Sequence, residues 1–280
     1  MTLAGAGALV RSAAARGGAV AAFNVITLEQ VEAVVTAAET TGRPVILQVS
    51  QNAIRFRRAF APLLAACREL AIAAGTPVAL HLDHIDDATL ARAALLRGRE
   101  LGLSSLMFDA SRNDYDTNVA LTADMVSEAH ARGVWVEAEL GEIGGKDGAH
   151  APGVRTDPDE ARAFVEATGV DALAVAVGSS HAMVDRTARL DLALIARLRD
   201  AVPVPLVLHG SSGVPDDQLA EAVRAGIRKV NIGTALAVAG TGRLRQELAA
   251  RLDAVDPRTY LDGVRQATGE TAARLLHVVG

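Results

Sequence analysis

With 280 residues, half of them hydrophobic, the chain has enough apolar material for one large core, and residues 1–280 are expected to form a single domain, as α/β barrels of about 250 residues do. Its formal charge of -5 lies on interspersed acids and bases, which argues against a nucleic-acid or anionic-membrane partner and leaves a small molecule. Cys67 is the only cysteine, so an intrachain disulfide and a four-sulfur metal site are excluded, as suits a reducing cytoplasm.

Residues 1–20 are rich in Ala and Gly, carry Arg11 and Arg16 at helical spacing, and lack the continuous apolar run of a signal sequence. They predict a short opening helix. No window reaches the roughly 20 uninterrupted apolar residues that a membrane helix needs. From there, short β-branched or apolar runs alternate with longer segments of helical periodicity. The runs fall at 19–25, 45–49, 77–82, 104–108, 134–140, 172–177, 205–208 and 229–232. Amphipathic stretches lie at 28–40, 86–97, 119–132, 158–168, 192–200 and 216–225, and a further helix-like stretch at 62–74 carries Cys67. Asp157-Pro158 and Pro215-Asp216 are helix-start signals. Gly42, Gly75, Gly102, Gly133, Gly169 and Gly226 each precede the next strand, where a left-handed helix end favours glycine. Eight strands close a parallel barrel, so the expected fold is an α/β, (β/α)8 barrel with an extra N-terminal helix and a C-terminal helical extension.

One link breaks the rhythm. Residues 141–155 form a long, polar, Gly-rich connection after the fifth strand, well beyond the usual 2–6 residues. On the C-terminal side of a barrel such a loop is expected to be a lid or to carry catalytic groups, the alternative being a disordered insertion.

Nearly every predicted strand ends in a polar residue: Asn24, Ser50, Asp83-His84, Asp109, Glu139, Ser179-Ser180-His181, His209 and Asn231. A strand packed on both faces has no need of this, so the tips predict one polar mouth. Three of the seven histidines, His84, His181 and His209, stand at these tips. One such histidine is more often a hydrogen-bonded pocket residue, but three together describe a catalytic metal site with an open position. His81 fits a supporting or structural role, while His130, His150 and His277 read as ordinary solvated residues. After strands seven and eight, Gly210-Ser211-Ser212-Gly213 and Asn231-Ile232-Gly233-Thr234 place small residues and a helix N-terminus where barrels bind phosphate.

In order and spacing, Phe23-Asn24, His81-Leu82-Asp83-His84, Met107-Phe108-Asp109-Ala110-Ser111, Val136-Glu137-Ala138-Glu139-Leu140-Gly141, Val177-Gly178-Ser179-Ser180-His181, Leu206-Val207-Leu208-His209-Gly210, Lys229-Val230-Asn231 and Asp256-Pro257-Arg258 resemble the class II, metal-dependent ketose-bisphosphate aldolases. The similarity spans essentially the whole chain and is nearer the tagatose-bisphosphate branch than the larger fructose-bisphosphate enzymes. It implies reversible cleavage of a phosphorylated ketose to dihydroxyacetone phosphate and an aldehyde. It implies zinc on His84, His181 and His209, with Asp109 and Glu139 as support or alternate ligands and Asp83 as acid/base at the C4 hydroxyl. Such roles suit the chemistry, because breaking a carbon–carbon bond beta to a ketone develops negative charge that a Lewis acid stabilises while a carboxylate takes the hydroxyl proton. Asn24, Ser50 and Asn231 would orient the substrate, and Gly210, Ser211, Ser212, Gly233 and Thr234 would grip its phosphate. A monovalent cation, Na+ or K+, is expected near that phosphate. Arg258 would reach into a neighbouring subunit to meet a second phosphate, which implies a homodimer or homotetramer. Two positions depart from the family: Ala182 stands where glycine is usual, and Asp147 is the nearest match to a loop glutamate that donates a proton.

Other readings of the same residues are a Schiff-base aldolase using Lys229, which shares strand parity with Asn231, a zinc hydrolase on the same barrel, and a catalytically silent phosphosugar-binding barrel.

Overall fold

The computed structural model describes residues 2–141, 155–180, 183 and 185–280. In chain order the elements are α1 (Ala6–Ala15), β1 (Val20–Asn24), α2 (Leu28–Thr41), β2 (Val45–Ser50), α3 (Gln51–Arg57), α4 (Ala61–Ala73), β3 (Val78–Ile85), α5 (Ala88–Arg97), β4 (Leu103–Phe108) and α6 (Tyr115–His130). They continue with β5 (Trp135–Glu139), α7 (Pro158–Thr168), β6 (Ala172–Ala174), α8 (Leu192–Ala201), β7 (Leu206–Leu208), α9 (Asp216–Ala225), β8 (Ile227–Ile232), α10 (Thr234–Ala250) and α11 (Arg258–Val279). The strands pair in parallel in sequence order, and β8 returns to β1, closing an eight-stranded barrel. Among the described residues no helix is long and apolar enough to cross a membrane.

The helices start and stop where side chains can satisfy their end groups. Thr27 forms a capping box with Gln30 at the start of α2, and Asp87, Asp114, Asp157 and Asp191 each accept backbone N–H groups at the starts of α5, α6, α7 and α8; such caps contribute about 1 kcal/mol each. Five of the six glycines expected to be left-handed have positive φ, but Gly75 does not. Helix α4 ends instead on an extended Ala74, so the turn before β3 needs no left-handed residue. Strand β6 is shorter than the apolar run 172–177 predicts, stopping at Ala174, so Ser179 lies in the loop beyond it.

The barrel interior is layered. Val20, Ala22, Ile46 and Ala79 form an apolar floor sealed by Ala6, Leu9, Val10 and Ala13 of α1, so the N-terminal helix plugs the bottom of the barrel. Larger side chains such as Phe23, Leu47, Leu64, Leu80, Phe108 and Phe164 fill the shell between strands and helices, each worth about 1.5–3 kcal/mol for removal from water. Cys67 is buried in that shell, which pushes its thiol up to about 12. The C-terminal helix α11 packs across α2, α9 and α10. Above the apolar floor the interior turns polar: Gln48, His81, Ser105, Glu137 and Lys229 are fully buried.

Candidate active site

The polar layer rises into the C-terminal mouth through the period of two along each strand. Gln48 is followed inward by Ser50, His81 by Asp83, Glu137 by Glu139, and Lys229 by Asn231. His84 departs from that alternation, since a residue next to inward-facing Asp83 should face outward. The backbone solves this with a left-handed φ of 49° at His84 and a register shift between Leu82 and Ile85 in the pairing of β3 with β4. A non-glycine residue in that region costs about 1–2 kcal/mol, and here two consecutive side chains reach the same mouth.

His84 and His209 meet there at right angles, with ring centroids 4.7 Å apart. Behind each ring stands a carboxylate. His84 Nδ1 lies 2.8 Å from Asp109 Oδ2, and Asp109 in turn accepts the Ser111 hydroxyl at 2.6 Å. His209 Nε2 lies 2.8 Å from Glu137 Oε1. A carboxylate accepts, so it favours the ring proton on each of those nitrogens and a lone pair on the opposite one. The two lone-pair nitrogens, His84 Nε2 and His209 Nδ1, face each other at 2.9 Å. Two neutral acceptors held at that distance call for a cation between them, and imidazoles backed by carboxylates are the usual donor set of a zinc site. The residues therefore fit the expected ion. Asp83, His84 and His209, and separately His84, Asp109 and Glu139, bring ligand atoms within 4.8 Å of one another. The third expected histidine, His181, lies outside the described residues, as do Ala182 and Asp147.

Asp83 sits beside the two rings, almost fully buried. Asn24 Nδ2 donates to its Oδ2 at 2.8 Å and Asn231 Nδ2 to its Oδ1 at 3.3 Å, while Gln48 Nε2 fixes Asn24 through Oδ1 at 2.5 Å. Burial opposes the charge on Asp83, but positive charge on the His84 and His209 rings whenever they are protonated, Lys229 and the Asn24 bond outweigh it and hold the carboxyl below its ordinary range. It is thus ionised at neutral pH. His81 is driven well below its ordinary value by burial and then by Lys229, so it is a neutral ring held through Nδ1 by Ser105 Oγ at 2.8 Å.

The opposite wall of the cleft comes from the loops after β7 and β8. Ser211 Oγ donates to Asn231 O at 2.5 Å, tying the two loops together. Ser212 Oγ accepts from Ala235 N at 3.0 Å, at the N-terminus of α10, where backbone N–H groups and the helix dipole favour an anion. Gly210 has φ 65°, and a Cβ there would stand 2.6 Å from the Ser180 backbone. Only glycine lets the loop after β7 approach the segment after β6 this closely.

One cleft is lined by Asn24, Asp83, His84, Ser180, His209, Gly210, Ser211, Ser212, Asn231, Ile232, Gly233 and Thr234, which brings together most of the residues expected from the strand tips. Asp109 lies behind His84. Ser50 and Arg258 do not line this cleft: Ser50 caps α3 by accepting from Ala53 N, and Arg258 lies exposed at the start of α11, paired with Asp256. Glu137 and Gln48 were not singled out from the sequence as site residues; the signal that could have found them is a polar residue two positions below a polar strand tip. Lys229 is fully buried, with Nζ donating to Glu137 Oε2 at 2.7 Å and Asn231 Oδ1 at 2.8 Å. It does not line the cleft, so a substrate carbonyl has no path to it, which argues against the Schiff-base reading.

The sequence model of class-II fructose-bisphosphate aldolases matches residues 5–280. The chain is 38% identical over 257 residues to the fructose-bisphosphate aldolase of Geobacillus stearothermophilus, covering 90% of this chain and 88% of the relative. It is 38% identical over 267 residues to the probable fructose-bisphosphate aldolase of Bacillus subtilis strain 168, covering 94% and 92%. The crystal structure of the YdjI aldolase from Escherichia coli K12 superposes with a TM-score of 0.84 at 33% identity, covering 98% of this chain and 96% of that one. With a matching family model over nearly its whole length and relatives of this similarity, the chain belongs to the class-II fructose-bisphosphate aldolase family.

Proposed function

We propose that this chain performs reversible, zinc-dependent aldol cleavage of a ketose bisphosphate of the fructose or tagatose type, with His84 and His209 as metal ligands and Asp83 as the proton-transfer group. Family membership makes it an aldolase, an enzyme that breaks a carbon–carbon bond in a phosphorylated ketose. The reading of the residues rests above all on one observation: two imidazole nitrogens, each on a ring whose other nitrogen meets a carboxylate, facing each other at 2.9 Å beside a buried Asp83.

A bound zinc ion supplies Lewis-acid polarisation of the substrate ketone and its neighbouring hydroxyl. Everything else falls to the chain. Asp83, ionised and held on both oxygens by asparagine amides, takes the C4 hydroxyl proton as the carbon–carbon bond breaks and returns it in the condensation direction. Asn24 and Asn231 project into the cleft from β1 and β8 and orient the dihydroxyacetone phosphate half. Gly210, Ser211, Ser212, Gly233 and Thr234 surround the phosphate, with the Ser212 hydroxyl donating to the anion while its oxygen accepts from Ala235 N. Asp147 would protonate the carbon left after cleavage, His181 would complete the ligand set, and Glu139 would serve as an alternate ligand. Ser50 would steady the substrate from the top of β2, and a monovalent cation would sit against the phosphate. Arg258, exposed on this chain, would meet the second phosphate in a neighbouring copy, so the working form is a homodimer or homotetramer. A cytoplasmic location agrees with the single buried thiol.

The test is a coupled assay for dihydroxyacetone phosphate released from a panel of ketose mono- and bisphosphates, with and without chelator. Release from a bisphosphate, abolished by chelator and restored by zinc, is the expected result. Borohydride inactivation in the presence of substrate together with indifference to chelator would replace zinc by a lysine mechanism, and tight binding without release would indicate a silent binding protein.

A further inference from the structure

We infer that Glu137, oriented by Lys229, is a positioning residue that sets the tautomer of His209 and thereby presents Nδ1, rather than Nε2, to the metal. The inference rests on the reading of His209 as a metal ligand. Glu137 and Lys229 lie a layer below the cleft, fully buried, in a part of the barrel interior that is ordinarily apolar. A desolvated ion pair is a poor source of stability, so its presence under a ligand histidine asks for another explanation.

The bonds around Glu137 supply it. Its two oxygens are engaged in different directions: Oε2 accepts from Lys229 Nζ at 2.7 Å, and Oε1 faces His209 Nε2 at 2.8 Å. Lys229 Nζ has no acceptor capacity, so it anchors an oxygen, and it also donates to Asn231 Oδ1 at 2.8 Å. That second bond turns the Asn231 amide so that its donor Nδ2 lies 3.3 Å from Asp83 Oδ1 and 3.0 Å from His209 Nε2; Nε2 thus meets one donor and one acceptor, and the charged Glu137 carboxylate, nearer at 2.8 Å, is the stronger partner and accepts the ring N–H. Lys229 thus orients groups on both sides of the ring. Presented with an acceptor at Oε1, a neutral His209 places its proton on Nε2 and leaves its lone pair on Nδ1, the nitrogen that faces His84 Nε2. If the proton moved to Nδ1, the ring would point an N–H at the site of the ion.

The same geometry predicts how Glu137→Gln fails. Lys229 would still demand an oxygen, so the glutamine would turn its carbonyl to Lys229 and its NH2 to His209. With the only acceptor gone and donors from both the glutamine and Asn231 against it, Nε2 would give up its proton and Nδ1 would receive it. In the double variant Glu137→Gln/Lys229→Met the amide is free to turn, and its oxygen can face His209 again.

The experiment measures zinc affinity by competition with a chelator in the parent, E137Q, E137Q/K229M and H209A, and reads the His209 tautomer from imidazole 15N shifts of the metal-free proteins, using H209A to assign the signal. The expected result is an Nε2–H tautomer in the parent, an Nδ1–H tautomer in E137Q with zinc affinity down about 10–100-fold, and recovery of the Nε2–H form and most of the affinity in the double variant. An Nδ1–H tautomer in the parent, or zinc affinity in E137Q within threefold of the parent while H209A loses its zinc, overturns the inference. Full zinc occupancy in H209A would instead remove the ligand reading beneath it. If E137Q does not fold, the parent tautomer and the double variant decide.

Discussion

A carboxylate next in sequence to a metal ligand invites confusion between holding the ion and moving a proton, and a single substitution separates the two. In the proposed role Asp83 contacts substrate, while His84 beside it contacts the ion. Asp83→Ala should therefore keep its zinc and lose cleavage by about 10²–10⁴-fold, the usual worth of a positioned proton-transfer group. Metal analysis and steady-state rates on the same preparation check this; a rate within a few-fold of the parent would take Asp83 out of the chemistry. The adjacency itself was readable in the sequence as Asp83-His84 at a strand tip. What the sequence could not show is how both side chains face one way, because that depends on a left-handed backbone at His84, where residue type gives no warning.

At the scale of elements, composition and start signals located most of the architecture. Helices α7 and α9 begin where Asp157-Pro158 and Pro215-Asp216 place them, since proline and acid at a helix start act through local backbone chemistry. Strand ends were less legible: β3 runs on through Asp83 and His84 to Ile85, because polar residues facing a barrel mouth still make ladder bonds. Glu137 was missed for a related reason. Glu139 at the tip looked functional, whereas the carboxylate two residues deeper has a role only once Lys229 and His209 are seen across the barrel. Contacts between elements also carry a testable pH dependence. Asp216 at the start of α9 bonds Arg186, in the segment before α8, and Arg274 of α11. Burial pushes its carboxyl up, but the bonds to Arg186 and Arg274 prevail and hold it below 3.8. A carboxyl lowered in the folded state stabilises above its unfolded value and loses that contribution as pH falls through the folded one. Asp216→Asn should lower the melting temperature at pH 7 by an amount worth about 1 kcal/mol or less, given solvent screening of these part-exposed groups. That gap should close below about pH 3.8. A gap unchanged between pH 7 and pH 3 would show that the two arginines do not act through this charge.

The whole molecule divides its labour along the barrel axis. The floor is apolar and plugged by α1, the middle holds a buried polar layer that orients groups above it, and the mouth carries the imidazoles, Asp83 and the phosphate loops. Stability comes from the shell and the floor, so removing zinc is expected to leave the barrel folded. The division could be inferred from sequence only in outline, since alternation of apolar runs and helices reports the closed barrel but not which nitrogen of a ring faces its centre. The central claim is that His84 Nε2 and His209 Nδ1 share one ion, and it is tested most directly by the anomalous-scattering crystal structure of the zinc-loaded protein. A zinc peak is expected about 2.0–2.1 Å from both of those nitrogens, with Asp109 and Glu137 still behind the rings. A peak bonded to His84 Nδ1 or His209 Nε2, or one centred away from both rings, would contradict the claim.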